Sequence, residues 1–267
     1  MYNIAAEILT SFLSQVVSRP FDSCRLARAG WAAMFADIHL PPFLLEQVSR
    51  RILQTRQQDG GWSDPLETAW VTGFLAKVKG KNNPTFKSSV NWLKSVRYFK
   101  GGWGKHSRDQ MRIPDTSIVI ELVPEATIKE DRKYVTLEWQ KDFKGLVRLS
   151  YKAGFFLLTA ASNATEKDND LVVATIDHLS QDQNSDGGFA PWKGHPIGSD
   201  PWSTGVVLWG LSRWVDQVDH VVLEKALNWL QETQLPTGYW PYHYLDDGTS
   251  LALIGGVAAL KSLKARE

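Results

Sequence analysis

Arg25 and Arg28 stand three residues apart, and Arg148 and Lys152 four apart, so on a helix each pair shares a face and could grip an anion. Both pairs fall in otherwise apolar segments rich in small residues, where a cation is costly unless it meets a cavity, an acid or a ligand. Asp22, Glu67 and Glu121 are acids that could neutralise them instead. The same set of segments carries Trp31, Trp70, Phe74, Tyr151, Phe155, Phe156, Trp202 and Trp209. With 12 Trp in 267 residues, such rings either fill a core or line a pocket whose π faces suit an apolar chain or a carbocation. A Gly-rich phosphate loop with Lys, a Ser nucleophile elbow and a His-Glu-x-x-His helix are all missing from the sequence.

The elements that must position these side chains repeat along the chain. Four turns share a Gly-x-aromatic pattern: Gln57 to Trp62, Lys100 to Trp103, Gln183 to Phe189 and Gln234 to Trp240. Their aromatic ends lie 41, 86 and 51 residues apart, and 86 is close to two repeat lengths, so a degenerate copy is expected between Trp103 and Phe189. After each turn comes an Asp, then Thr or Ser, then an apolar run: Asp64-Pro65, Asp115-Thr116, Asp200-Pro201 and Asp246-Asp247-Gly248-Thr249. Pro20-Phe21-Asp22-Ser23-Cys24 has the same form. These read as helix starts, with Asp, Ser or Thr capping free N–H groups and Pro at the first helical position. Residues 145–162 fill the slot of the degenerate copy.

Between the apolar runs lie amphipathic segments near 3–17, 42–57, 84–97, 127–142, 166–181 and 221–233. The apolar set must be buried on most sides, whereas the amphipathic set needs one face in water. The expected fold is therefore all-α, an (α/α)6 toroid of six inner and six outer helices. It forms one domain over 1–267, with repeats near 3–36, 42–78, 84–124, 127–162, 166–214 and 221–263. An open solenoid uses the same unit but requires polar end caps, and the last run, 249–263, is as apolar as the middle ones, which favours closure.

Charge is balanced, 30 Lys+Arg against 29 Asp+Glu, which argues against a nucleic-acid partner. Sequence also suggests no transmembrane segment, and the N-terminus lacks the basic start of a signal peptide, so a cytoplasmic location is expected.

The turns ending in Phe189 and Trp240 resemble the QW repeats of squalene-hopene cyclases, other class II terpene cyclases and the beta subunits of protein prenyltransferases, over residues ~50 to 263. Arg56 and Arg97 depart from the pattern at the Gln position. In such a repeat the Gln amide is expected to cap the outer helix's terminal carbonyls while the aromatic stacks on the next repeat. The resemblance implies an isoprenoid ligand, its chain in an aromatic-lined lumen (Trp31, Trp70, Tyr151, Phe155, Trp202, Trp209) and its diphosphate or other polar head near Arg25, Arg28, Arg148 and Lys152 at the rim of helix N-termini.

Class II cyclases protonate their substrate with the middle Asp of an Asp-x-Asp-Asp motif. Aligned on the following Thr, residues 245–248 place Asp247 at the acid position with Asp246 beside it, while residues 112–115 keep only Asp115; the competing reading makes all three helix caps. Prenyltransferase beta subunits hold zinc with an Asp-x-Cys pair and a His, which implies Asp22, Cys24 and His243 as metal ligands; Cys24 could equally be a small buried apolar residue. Zinc or magnesium is accordingly the candidate cofactor. The alternatives are a non-catalytic toroid that binds a hydrophobic ligand or a protein partner, and a glycan-active toroid using Glu67 and Asp200.

Overall fold

Each turn aromatic is held by the Thr that opens the next helix. The backbone N–H of Trp62, Trp103, Phe189 and Trp240 donates to the hydroxyl of Thr68, Thr116, Thr204 and Thr249 at 3.0, 2.8, 2.9 and 3.0 Å. The indoles of Trp62, Trp103 and Trp240 donate back to Ile52, Leu93 and Leu230, ten residues upstream, at 3.1, 2.8 and 2.7 Å. One ring thus ties the end of an outer helix to the start of an inner one, which is why Gly turn, aromatic and Thr recur together.

The computed structural model describes residues 2–162 and 170–266, so the first four residues of the segment expected at 166–181 lie outside the described residues. The outer helices are α1 (Tyr2–Val16), α3 (Pro42–Gln54), α5 (Pro84–Ser95), α7 (Lys129–Phe143), α9 (Asp170–Asp182) and α11 (His220–Thr233). The inner ones are α2 (Ser23–Phe35), α4 (Pro65–Lys79), α6 (Ile113–Leu122), α8 (Ser150–Ala161), α10 (Pro201–Leu211) and α12 (Leu245–Lys264). Inner helices contact one another in the order α2, α4, α6, α8, α10, α12, and α12 returns to α2, so the ring is closed. Outer helices bury one face, as α1 does with Ala5, Ala6, Leu9 and Leu13, whereas all but one residue of α10 are buried. No described helix is long and apolar enough to cross a membrane.

Two details differ from what the sequence suggests. The Gln amides do not cap the ends of their own outer helices: Gln183 donates to Gly187 O at 2.8 Å and to Val222 O of the next outer helix at 2.9 Å, and Gln234 donates to Gly238 O at 2.8 Å. Arg56 substitutes, its guanidinium donating to Gly60 O at 3.1 and 3.2 Å. In the degenerate fourth repeat the Trp139 indole on α7 donates to Thr175 Oγ1 of the next outer helix, α9, at 2.8 Å.

On one side of the ring the backbones touch. A Cβ at Gly205 would collide with Leu251 O, and one at Gly255 with Gly205 O, so α10 and α12 meet with no side chain between them. Only glycine permits that approach.

Candidate functional site

The inner helix starts gather at one mouth of the ring. Three aspartates there are caps: Asp22, Asp64 and Asp200 accept through Oδ1 from the N–H of Arg25, Glu67 and Ser203 at 3.1, 2.7 and 2.8 Å. Asp115, Asp246 and Asp247 are not. They sit inside the first turns of α6 and α12, whose N-cap residues, Arg112 and Tyr244, make no side-chain cap.

What Asp246 and Asp247 do instead is pair with the arginines of the first inner helix. Arg25 donates to both oxygens of Asp246, through Nε at 2.9 Å and through an Nη, and Arg28 Nη2 lies 2.9 Å from Asp247 Oδ1. The hydrogen bond to Asp246 holds the Arg25 guanidinium above its ordinary range. Burial pushes the Asp247 carboxyl up, with Arg28 opposing and the Asp246 charge reinforcing. The expectation that Arg25 and Arg28 present free cations to an anionic head is therefore corrected: each is already matched by an acid.

Rings surround this pair. Arg28 lies 6.0 Å over Trp70, and Arg25 sits between Phe21 and Tyr244 at 4.4 and 4.2 Å. Tyr242, which sequence reasoning missed, stacks parallel to Trp202 at 6.3 Å. Trp202 in turn meets Tyr151 and Phe155 edge-on at 5.4 and 6.1 Å. Burial, then the charges of Asp200 and Asp247, push the Tyr242 phenol up, which places its hydroxyl in the same field as Asp247. The signal was available in the cluster Trp240-Pro241-Tyr242-His243 immediately before the α12 start.

Deeper in the ring the expected lumen aromatics pack on one another. Trp31 of α2 meets Trp70 of α4 edge-on at 5.8 Å and Trp209 of α10 at 5.9 Å. In the ring α2 and α10 lie on either side of α12, and the second contact brings their rings together in one tryptophan cluster. Trp209 is fully buried and its N–H has no partner.

Several residues expected at the site do not join the mouth. Lys152 Nζ pairs with Asp142 at 2.7 Å, and Arg148 lies 4.5 Å over Phe143, so both serve the contact with outer helix α7. Asp115 is buried and its carboxyl is pushed up by that burial; Arg112, at 3.7 Å, pulls it back down, and Asp64 at the start of α4 also raises it. Asp22, Cys24 and His243 are not grouped: Asp22 is engaged as a cap, Cys24 is buried in the field of Arg28, Asp22, Glu67 and Asp64, and His243 packs 4.8 Å from Tyr242. Among the described residues no three His, Cys, Asp or Glu are grouped to hold a metal ion.

Neither a protein-family model nor a curated relative matches this sequence. Solved structures do match it. A variant of the type II terpene cyclase MstE from Scytonema, in complex with geranylgeranyl dihydroxybenzoate, superposes with a TM-score of 0.75 at 16% identity, covering 97% of each chain. The fold is that of a type II terpene cyclase. The apo form of MstE gives a TM-score of 0.75 at 15% identity over 98% of this chain and 100% of that one, and a protein from Actinoplanes gives 0.70 at 11% over 97% and 100%. At such identity the terpene-cyclase fold is shared while the chemistry rests on the side chains themselves.

Proposed function

We propose that this chain is a terpene-cyclase-like enzyme that takes a prenylated small molecule into the mouth of the ring, with Asp247 as proton donor. The observation that carries this is the buried Asp247 carboxyl, pushed up by its surroundings, beside Asp246 and within a wall of aromatic rings. Burial favours the protonated form of this carboxyl, which can protonate an alkene, and the faces of Trp70, Trp202 and Tyr242 suit the carbocation that follows. Asp246, fixed by Arg25, is a positioning residue that keeps negative charge next to the acid.

Because Arg25 and Arg28 are matched by aspartates, the favoured substrate carries its prenyl chain on an uncharged or weakly charged head rather than on a diphosphate. The bound substrate of MstE, a geranylgeranyl dihydroxybenzoate, carries no diphosphate. A second reading, a toroid that binds such a molecule without converting it, is supported by the Arg28–Asp247 pair, which opposes protonation of Asp247.

The test is incubation with prenylated phenols and prenyl diphosphates in deuterated water, followed by mass spectrometry. Cyclised product carrying one solvent deuteron, formed by the wild type and lost in Asp247→Asn, supports the enzyme. Retention of intact ligand on the native protein without product supports the second reading. Product formed equally by Asp247→Asn removes Asp247 from the mechanism.

A further inference from the structure

Beside the mouth, between the fifth and sixth repeats, lies a cleft of about 540 Å³ that shares only Tyr242 with the reaction proposed above. Its walls are apolar and stiff: Pro191, Pro201, Pro241, Ile197, Trp229 and Tyr242. Its polar side chains are almost all engaged within the protein. Ser199 donates to Asp186, Thr233 to Trp229 O, the Trp229 indole to Asp186, and His195 Nδ1 accepts from Ile197 N–H.

Asp200 is the exception among the cleft's nine-tenths-buried side chains. Its Oδ1 caps α10 through Ser203 N–H, but Oδ2 makes no hydrogen bond, although the residue is only 6% exposed. A buried carboxylate oxygen without a partner is unfavourable, and a lone acceptor at the edge of an apolar cleft is the usual arrangement by which a site orients one ligand.

We propose that this cleft is a second small-molecule site, for a flat ring-bodied compound whose single O–H or N–H donates to Asp200 Oδ2 while its body packs on the prolines and on Trp229. The volume lies within the range of ordinary ligand pockets. Burial pushes the Asp200 carboxyl up, and the Ser203 and Trp202 donors at the start of α10 offset it only in part. The site shares Tyr242 with the mouth as a dividing wall and uses none of Arg28, Asp246 or Asp247, so it stands whether or not the mouth handles an isoprenoid.

The test compares 2-naphthol with 2-methoxynaphthalene, which has the same ring body without the donor, on the intact protein. Calorimetry gives affinity, and the Trp229 indole N–H resonance reports location. The naphthol is expected to bind roughly tenfold more tightly than its ether and to shift Trp229. Asp200→Asn keeps the capping oxygen but replaces the open acceptor, and should abolish that preference. Equal affinities on the wild type, shifts confined to Trp70, or a preference that survives Asp200→Asn would each overturn the proposal; the first two need no variant to fold.

Discussion

Arg28 on α2 lies 2.9 Å from Asp247 on α12, joining the first inner helix of the ring to the last. Both side chains are largely buried, at 11% and 19% exposure, so the pair is weakly screened by solvent.

Arg28→Met should destabilise the protein by about 2–4 kcal/mol, because it leaves Asp247 without its cation, and Arg28→Met with Asp247→Leu should recover most of that loss. A double-mutant cycle in urea measures the coupling. Additive single effects would mean that the two groups act independently.

The tryptophan cluster should be cavity-forming when cut. Trp209→Ala is expected to cost about 3–5 kcal/mol and to leave a dry hole beside Trp31. Benzene should then raise the melting temperature of the variant more than that of the wild type. An equal response to benzene in both proteins would mean that no such hole forms.

The Thr that opens α6 accepts from Trp103 N–H at 2.8 Å in a fully buried setting. Thr116→Val should therefore cost about 1–3 kcal/mol by orphaning that donor, while Thr116→Ser should lose less, since it keeps the acceptor. Chemical denaturation of the three proteins ranks them. A valine variant as stable as the serine variant would remove the hydrogen bond as the cause.

Burial raises the Asp115 carboxyl in the folded state. A raised pKa means that the native chain holds the proton more tightly than the unfolded chain. This group's contribution is then fully present below the ordinary carboxylate value of about 4 and is lost as pH rises through the raised one. Asp115→Asn should flatten the decline of stability from pH 4 toward neutrality. Urea midpoints across that window check it, and a steeper decline in the variant would contradict it.

The toroid was legible because its devices are local: turn glycine, aromatic and Thr lie within 6 to 15 residues of one another, and each makes its hydrogen bond inside that span. The site was only half legible. Asp247 and Arg28 both stood out as costly residues on apolar helices, but a separation of 219 positions hid that each answers the other. Lys152 and Arg148 looked equivalent to Arg25 and Arg28 by spacing; what differed was an acid and a ring on the adjoining outer helix, Asp142 and Phe143. The contact between Trp31 and Trp209 was illegible for a related reason. Helix periodicity places Trp31 and Trp209 on inward faces without stating how wide the ring is, and the width follows from backbone contact at Gly205 and Gly255.

The closure through Arg25, Arg28, Asp246 and Asp247 also has a kinetic side. Arg25 and Asp246 are 221 residues apart, so this seam is among the slowest contacts to find in a chain whose other bonds are mostly short-range. During synthesis α2 emerges long before α12, so the flank of α2 that α12 will cover stays bare until α12 has left the ribosome.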